Sequence, residues 1–157
     1  MKKLNLSEWA AVGELVGTLA VFVSLIFVIY SINQNTAAIQ GSTENLIFER
    51  NTNLTNNFML DSSLAEILVN MRGENPELTE VEAIRWEKYQ FNLLDVWALA
   101  YNRHQRDLLA QEQWIAWDRY FTEIFSTGGE KLSRQQWEEW QFGYADNFWQ
   151  HVKVSLF

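Results

Sequence analysis

The hydrophobic pattern of the chain changes once, sharply, near residue 32. From Leu15 to Ile32 run eighteen residues without a charged side chain, LVGTLAVFVSLIFVIYSI. As a helix rising ~1.5 Å per residue they cover about 27 Å, close to the ~30 Å hydrocarbon core of a bilayer. The segment is apolar on every face, unlike the one-sided stripe of a helix in a soluble core. Trp9 and Tyr30 lie near its ends, where amphipathic rings favour the membrane interface. The pattern predicts a transmembrane helix near residues 9–32. A secretory signal is the competing reading, but its apolar core is usually ~7–15 residues, and Thr36-Ala37-Ala38 is a poor cleavage site.

After Ile32 the sequence stays compatible with helix but turns polar. Ile39, Leu46, Arg50, Leu54 and Phe58 keep one broadly apolar stripe, which predicts a helical stalk relaxed at Gly41. Asp61-Ser62-Ser63 caps a short helix over 64–71, ended by Gly73 and Pro76. Thr79-x-x-Glu82 is a capping box opening a long helix to about Asp107. Along it Trp86, Tyr89, Leu93, Trp97, Tyr101 and His104 share one face. Trp114, Trp117, Phe121 and Ile124 repeat the pattern in a helix stopped by Gly128-Gly129. Ser133-x-x-Gln136 caps another helix bearing Trp137 and Trp140; Gly143 breaks it, and Asp146 is read as the cap of a last helix with Phe148, Trp149 and Val152. The expected fold is all-α: a transmembrane helix (1–32) continuing into a stalk (33–60), then an acidic, Trp-rich helical bundle (61–157).

Within the apolar segment the small residues are ordered. Ala10, Gly13, Gly17, Ala20, Ser24 and Ser31 follow alternating steps of three and four, with Phe27 filling one slot. Small side chains let helix backbones approach closely, which is how transmembrane helices pack without a hydrophobic gain. The stripe is the expected helix-packing surface, and Val12, Leu19, Val23 and Ile26 face lipid. Glu14 is a possible functional acid at the edge of the uncharged run. The plainer reading is an interfacial carboxylate that reaches water or pairs with Lys3 of a neighbour.

Composition narrows the chemistry. Lys2 and Lys3 balance Glu8 and Glu14, so the whole net charge of −8 lies in residues 33–157. Such a domain repels phosphate backbones, which excludes nucleic acid as an expected partner. The absence of cysteine removes disulfides, thiolate metal sites and cysteine catalysis, and leaves the redox compartment open. The two imidazoles, His104 and His151, lack the spacing of a helical metal site, and no phosphate-binding glycine loop is present. Adjacent acids such as Glu138 and Glu139 point apart on a helix. Asp95, embedded in LLDVWALA, is read as a surface acid paired with a base on another helix rather than as a buried catalytic base. No catalytic residue, metal or cofactor is therefore expected. The eight tryptophans are core residues first, because each contributes much buried area. Trp86, Trp97, Trp114, Trp117, Trp137, Trp140 and Trp149 are also the candidate interface aromatics, since tryptophan is enriched at binding hot spots.

Two stretches carry a resemblance. GELVGTLAVFVSLIFVIYSINQNTAAIQ is similar to the start of a large group of uncharacterised bacterial single-pass membrane proteins, with Glu14, Gly17, Ser24, Asn35 and Thr36 on the shared pattern. YNRHQRDLLAQEQW resembles that group's Y-x-x-(H/Y)-x-x-G-L-L-x-x-E-x-W, and WEEWQFGYADNFWQHV its closing aromatic pattern. The chain departs at Ser31 and Asn33, where Gln and Arg are usual, and at Asp107, where Gly is usual. The resemblance implies architecture and a bacterial cytoplasmic membrane; it implies no activity. With the patterns above, it leads to the expectation of a membrane-anchored, non-enzymatic helical module that forms a homo-oligomer or joins a larger membrane complex. The alternative is a small homo-oligomeric channel lined or rimmed by Glu14, Thr18, Ser24, Asn33 and Asn35, with a largely apolar lumen. Positive charge precedes the helix at Lys2 and Lys3 and does not return until Arg50, which places the N-terminus inside and the domain outside.

Overall fold

In the computed structural model the apolar segment and the polar stretch after it form one helix, α1 (Leu6–Leu60), which runs through Gly41 without a break. The structure describes residues 6–73, 75–127 and 129–157, with the backbone alone at Phe58 and Met59. Lys2, Lys3, Gly128 and the Phe58 side chain, used above, fall outside the described residues. The chain divides into two compact units, Met1–Ile39 and Gln40–Phe157. The first holds the apolar part of α1. The second holds the remainder of α1, then α2 (Ser62–Met71), α3 (Glu80–His104), α4 (Gln111–Ser126), α5 (Arg134–Trp140), a 3-10 turn (Gln141–Gly143) and α6 (Asp146–Leu156). The fold is all-α, with no strand among the described residues.

The stretch expected as a stalk is divided between the units, and its inward stripe differs from the expected one. Thr43 and Ile47 are buried and Leu54 packs against the core, whereas Ile39 is half-exposed and Arg50 exposed. The helical period is as read, but rotated. Thr43, a polar residue at the start of the true stripe, hid it.

Helices α2, α3 and α5 start at side-chain caps. Asp61 Oδ1 accepts from the Ser63 backbone N–H (3.0 Å) and hydroxyl (2.6 Å), and Arg85 of α3 donates to Asp61 Oδ2 and to the Ser63 hydroxyl. These bonds, Ser63 first and Arg85 next, hold the Asp61 carboxyl below its ordinary range although burial opposes them. Both sequence-predicted capping boxes are formed, Thr79 with Glu82 and Ser133 with Gln136. Asp146 is not the cap of α6. That position is Ala145, and Asp146 sits inside the first turn, where a carboxylate favours the positive end of the helix dipole.

The end of α3 is a six-residue closure in which Leu108 N–H donates to Arg103 O (2.9 Å) and Asp107 N–H to His104 O (3.0 Å). This is the pattern of a left-handed helix end, and Asp107 occupies the left-handed position with φ 58°. Glycine adopts that conformation without steric cost. Replacing Asp107 with Gly is expected to stabilise the second unit by about 0.5–1 kcal/mol, read as a rise in Tm.

A second backbone constraint joins α2 to the α4–α5 loop. A Cβ on Gly129 would lie 2.8 Å from the Met71 carbonyl carbon and 2.9 Å from its oxygen. Both neighbours are backbone and cannot swing aside as a side chain would. Gly129→Ala is expected to cost about 1–3 kcal/mol in urea unfolding, by forcing the loop off the end of α2. Beside it Arg72 pairs with the buried Glu130 at 3.0 Å, and the buried Gln90 side chain donates to the Glu130 carbonyl at 3.2 Å.

The core of the second unit is aromatic, and Trp97 is its hub. It is fully buried, stacks on Phe121 and Phe125 of α4, and meets Phe148 of α6 edge to face. Offset and edge-on arrangements are those the ring quadrupoles favour.

Candidate functional site

The first unit presents its small-residue stripe uncovered. Ala10, Gly13, Gly17, Ala20, Ser24 and Ser31 are all exposed, and a Cβ added at Gly13 or Gly17 would meet nothing within 4 Å. Two hydroxyls of this helix are satisfied internally. Ser24 Oγ donates to Ala20 O at 2.8 Å and Thr18 Oγ1 to Glu14 O at 2.9 Å, so neither hydroxyl requires a partner outside the helix. Near its polar end Gln34 donates to the Tyr30 hydroxyl at 2.7 Å. Glu14 is exposed. The most apolar eighteen-residue window has a mean hydropathy of 2.5, and none of it is buried within the chain. This helix is long and apolar enough to cross a membrane.

In the second unit the seven candidate aromatics divide. Trp86, Trp97, Trp114 and Trp137 are buried and present no contact surface. Trp117, Trp140 and Trp149 pack against the core with part of each ring open to solvent.

The structure also assembles a polar cluster that spacing does not reveal. Asp118 of α4 accepts from Trp97 Nε1 at 2.9 Å, and the same Oδ1 lies 2.6 Å from His151 Nε2. The His151 ring lies against Trp97, Tyr101 and Trp114, with centroids 5.2–5.8 Å apart. One carboxylate thus ties α3, α4 and α6 together and fixes the orientation of an imidazole among aromatics. In the sequence Asp118 is the acid four residues after Trp114 and three before Phe121, on the buried stripe of α4. That stripe runs Trp114–Phe121–Phe125, whereas the sequence reading placed Trp117 and Ile124 on it; both are half-buried. His104 at the end of α3 stacks on Trp114 with planes 4° apart. Among the described residues no group of three or more acids and histidines is placed to hold a metal ion.

Asp95 does not meet a base within ion-pair distance among the described residues. It accepts from the Tyr144 hydroxyl at 3.0 Å. Burial, followed by the Asp95 charge and that hydrogen bond, pushes the Tyr144 hydroxyl well above its ordinary range, so it stays a donor.

Against family models, curated proteins and solved structures the chain gives no significant match.

Proposed function

We propose that the chain is a single-pass protein of a bacterial cytoplasmic membrane, anchored by α1. It would belong to the group of bacterial proteins it resembles, self-associate through its small-residue stripe, and carry the aromatic unit as a non-enzymatic accessory or scaffold module. The observation that carries this reading is the uncovered apolar helix. A core helix of a water-soluble protein is covered by its own chain, whereas this window has a mean hydropathy of 2.5 and no buried share. Two features support self-association. Gly13 and Gly17 have no neighbour within 4 Å of an added Cβ, and the Ser24 hydroxyl is already bonded to Ala20 O, so close packing against a second helix there does not strand it. Steps that repeat every seven residues favour left-handed packing of parallel helices. The topology reading remains N-terminus inside and aromatic unit outside, from the lysines that precede the helix.

Gly17→Leu tests the assembly. A leucine in the middle of the stripe holds two backbones apart and should weaken association about tenfold or more, equivalent to ~1.4 kcal/mol. Val23→Leu, on the face assigned to lipid, should change it little. Sedimentation in a mild detergent reads both. If the parent is monomeric, or both variants sediment as the parent does, self-association through this stripe is wrong.

A further inference from the structure

Helix α3 has a second face. Opposite its aromatic stripe, Arg85, Lys88, Asn92, Asp95, Leu99 and Asn102 recur at steps of three and four and line a row of cavities beside α1. The cavities measure about 240, 250 and 350 Å³. The first and second share Leu54 and Asn92, and the second and third share Arg50 and Asp95, so they form one groove. The eighteen residues from Arg85 to Asn102 span about 25 Å, the length of about eight residues of extended chain.

We propose that this groove binds an extended peptide segment of a partner protein, carrying two carboxylates on an otherwise uncharged stretch. Four amides line it, Asn53 and Asn57 from α1 and Asn92 and Asn102 from α3. Each offers a donor and an acceptor, the complement of a peptide group. Two of the groove's charges are already engaged, Arg85 by Asp61 and Ser63, and Asp95 by Tyr144. Two cations are not. Arg50 has no ion pair among the described residues, and the exposed Lys88 lies 3.9 Å from its neighbour Glu87 and 5.1 Å from the centre of the Phe91 ring, surface contacts that each contribute little. On a protein of net charge −8, a groove with two uncommitted cations selects carboxylates locally. An eight-nucleotide strand, with a phosphate at every residue, would meet the repulsion of the whole domain. Lys88 and Asp95, beside which Arg50 sits, are seven residues apart on α3, about 10 Å, so the two carboxylates should be about three positions apart.

The test is a selection of displayed random octapeptides on the full chain in mild detergent. Synthetic copies of the winners are then titrated by fluorescence anisotropy. The expected winners carry two acids about three positions apart and bind at least tenfold more weakly to Arg50→Glu and to Lys88→Glu. Both sites are exposed, and circular dichroism checks that the variants keep the parent fold. An octauridylate probe and sedimentation of both variants complete the experiment. The proposal is overturned if no peptide is enriched, if the winners lack the acid pair, or if they bind parent and variants alike. It is equally overturned if octauridylate binds the groove more tightly than the peptides. It also fails if the variants change only the oligomeric state, which would assign the groove to a second copy of the chain.

Discussion

Trp97→Ala should unfold the second unit or leave it barely folded. The side chain is fully buried and touches α4 and α6 through three phenylalanine rings and the His151 ring. Truncating a buried tryptophan costs about 3–5 kcal/mol, from lost transfer energy and from the cavity left behind. Here a second loss is added, because Asp118 loses the indole donor and keeps only His151. Domains of this size are stable by ~5–15 kcal/mol, so the change removes a large share. Trp97→Phe should cost less, since a ring still fills much of the space, but it also removes the bond to Asp118. Urea unfolding followed by far-UV circular dichroism, with the chain held in detergent, gives the ranking. An alanine variant as stable as the parent would show that Trp97 is not the hub.

Arginine at two positions of the apolar helix should abolish membrane integration. On the insertion scale each Leu, Ile, Phe or Val contributes about −0.3 to −0.6 kcal/mol at the helix centre, and arginine costs about 2.5–3.5. Twelve such apolar residues lie between Leu15 and Ile32, together worth ~4–7 kcal/mol. One arginine offsets about half of that. Two, at Val23 and Ile26, offset nearly all of it. The expected series in alkaline carbonate extraction is a parent retained in the membrane fraction, Ile26→Arg partly released, and Val23→Arg with Ile26→Arg released almost completely. Retention of the double variant would mean that something other than this helix holds the chain to the membrane.

Helix positions were legible in the sequence where the signal is local. Thr79 with Glu82 and Ser133 with Gln136 carry their own caps within four residues, and both helices begin where those pairs place them. The uninterrupted apolar run was equally plain, because no neighbour is needed to read it. What failed depends on partners distant in sequence. Asp118 and His151 are 33 residues apart, and only the packing of α4 on α6 brings them together. Asp95 was assigned a base because acids on helix surfaces usually find one; it took a tyrosine hydroxyl from the far end of the chain instead. The inward stripe of α1 was misplaced because Thr43, at its start, is polar. Gly129 read as a helix stop, although what it meets is the backbone of Met71.

The membrane-spanning role proposed for α1 has a direct test that the composition makes clean. The chain has no cysteine, so a single introduced thiol reports on one position. Ser7→Cys, Ser24→Cys and Gln34→Cys sample the two ends and the middle of the apolar helix. Intact cells are treated with a membrane-impermeant maleimide, then permeabilised and treated again. A spanning helix with its N-terminus inside predicts that Gln34→Cys reacts at once, Ser7→Cys only after permeabilisation, and Ser24→Cys in neither condition. Ready labelling of Ser24→Cys, or of Ser7→Cys and Gln34→Cys from the same side, would contradict the account.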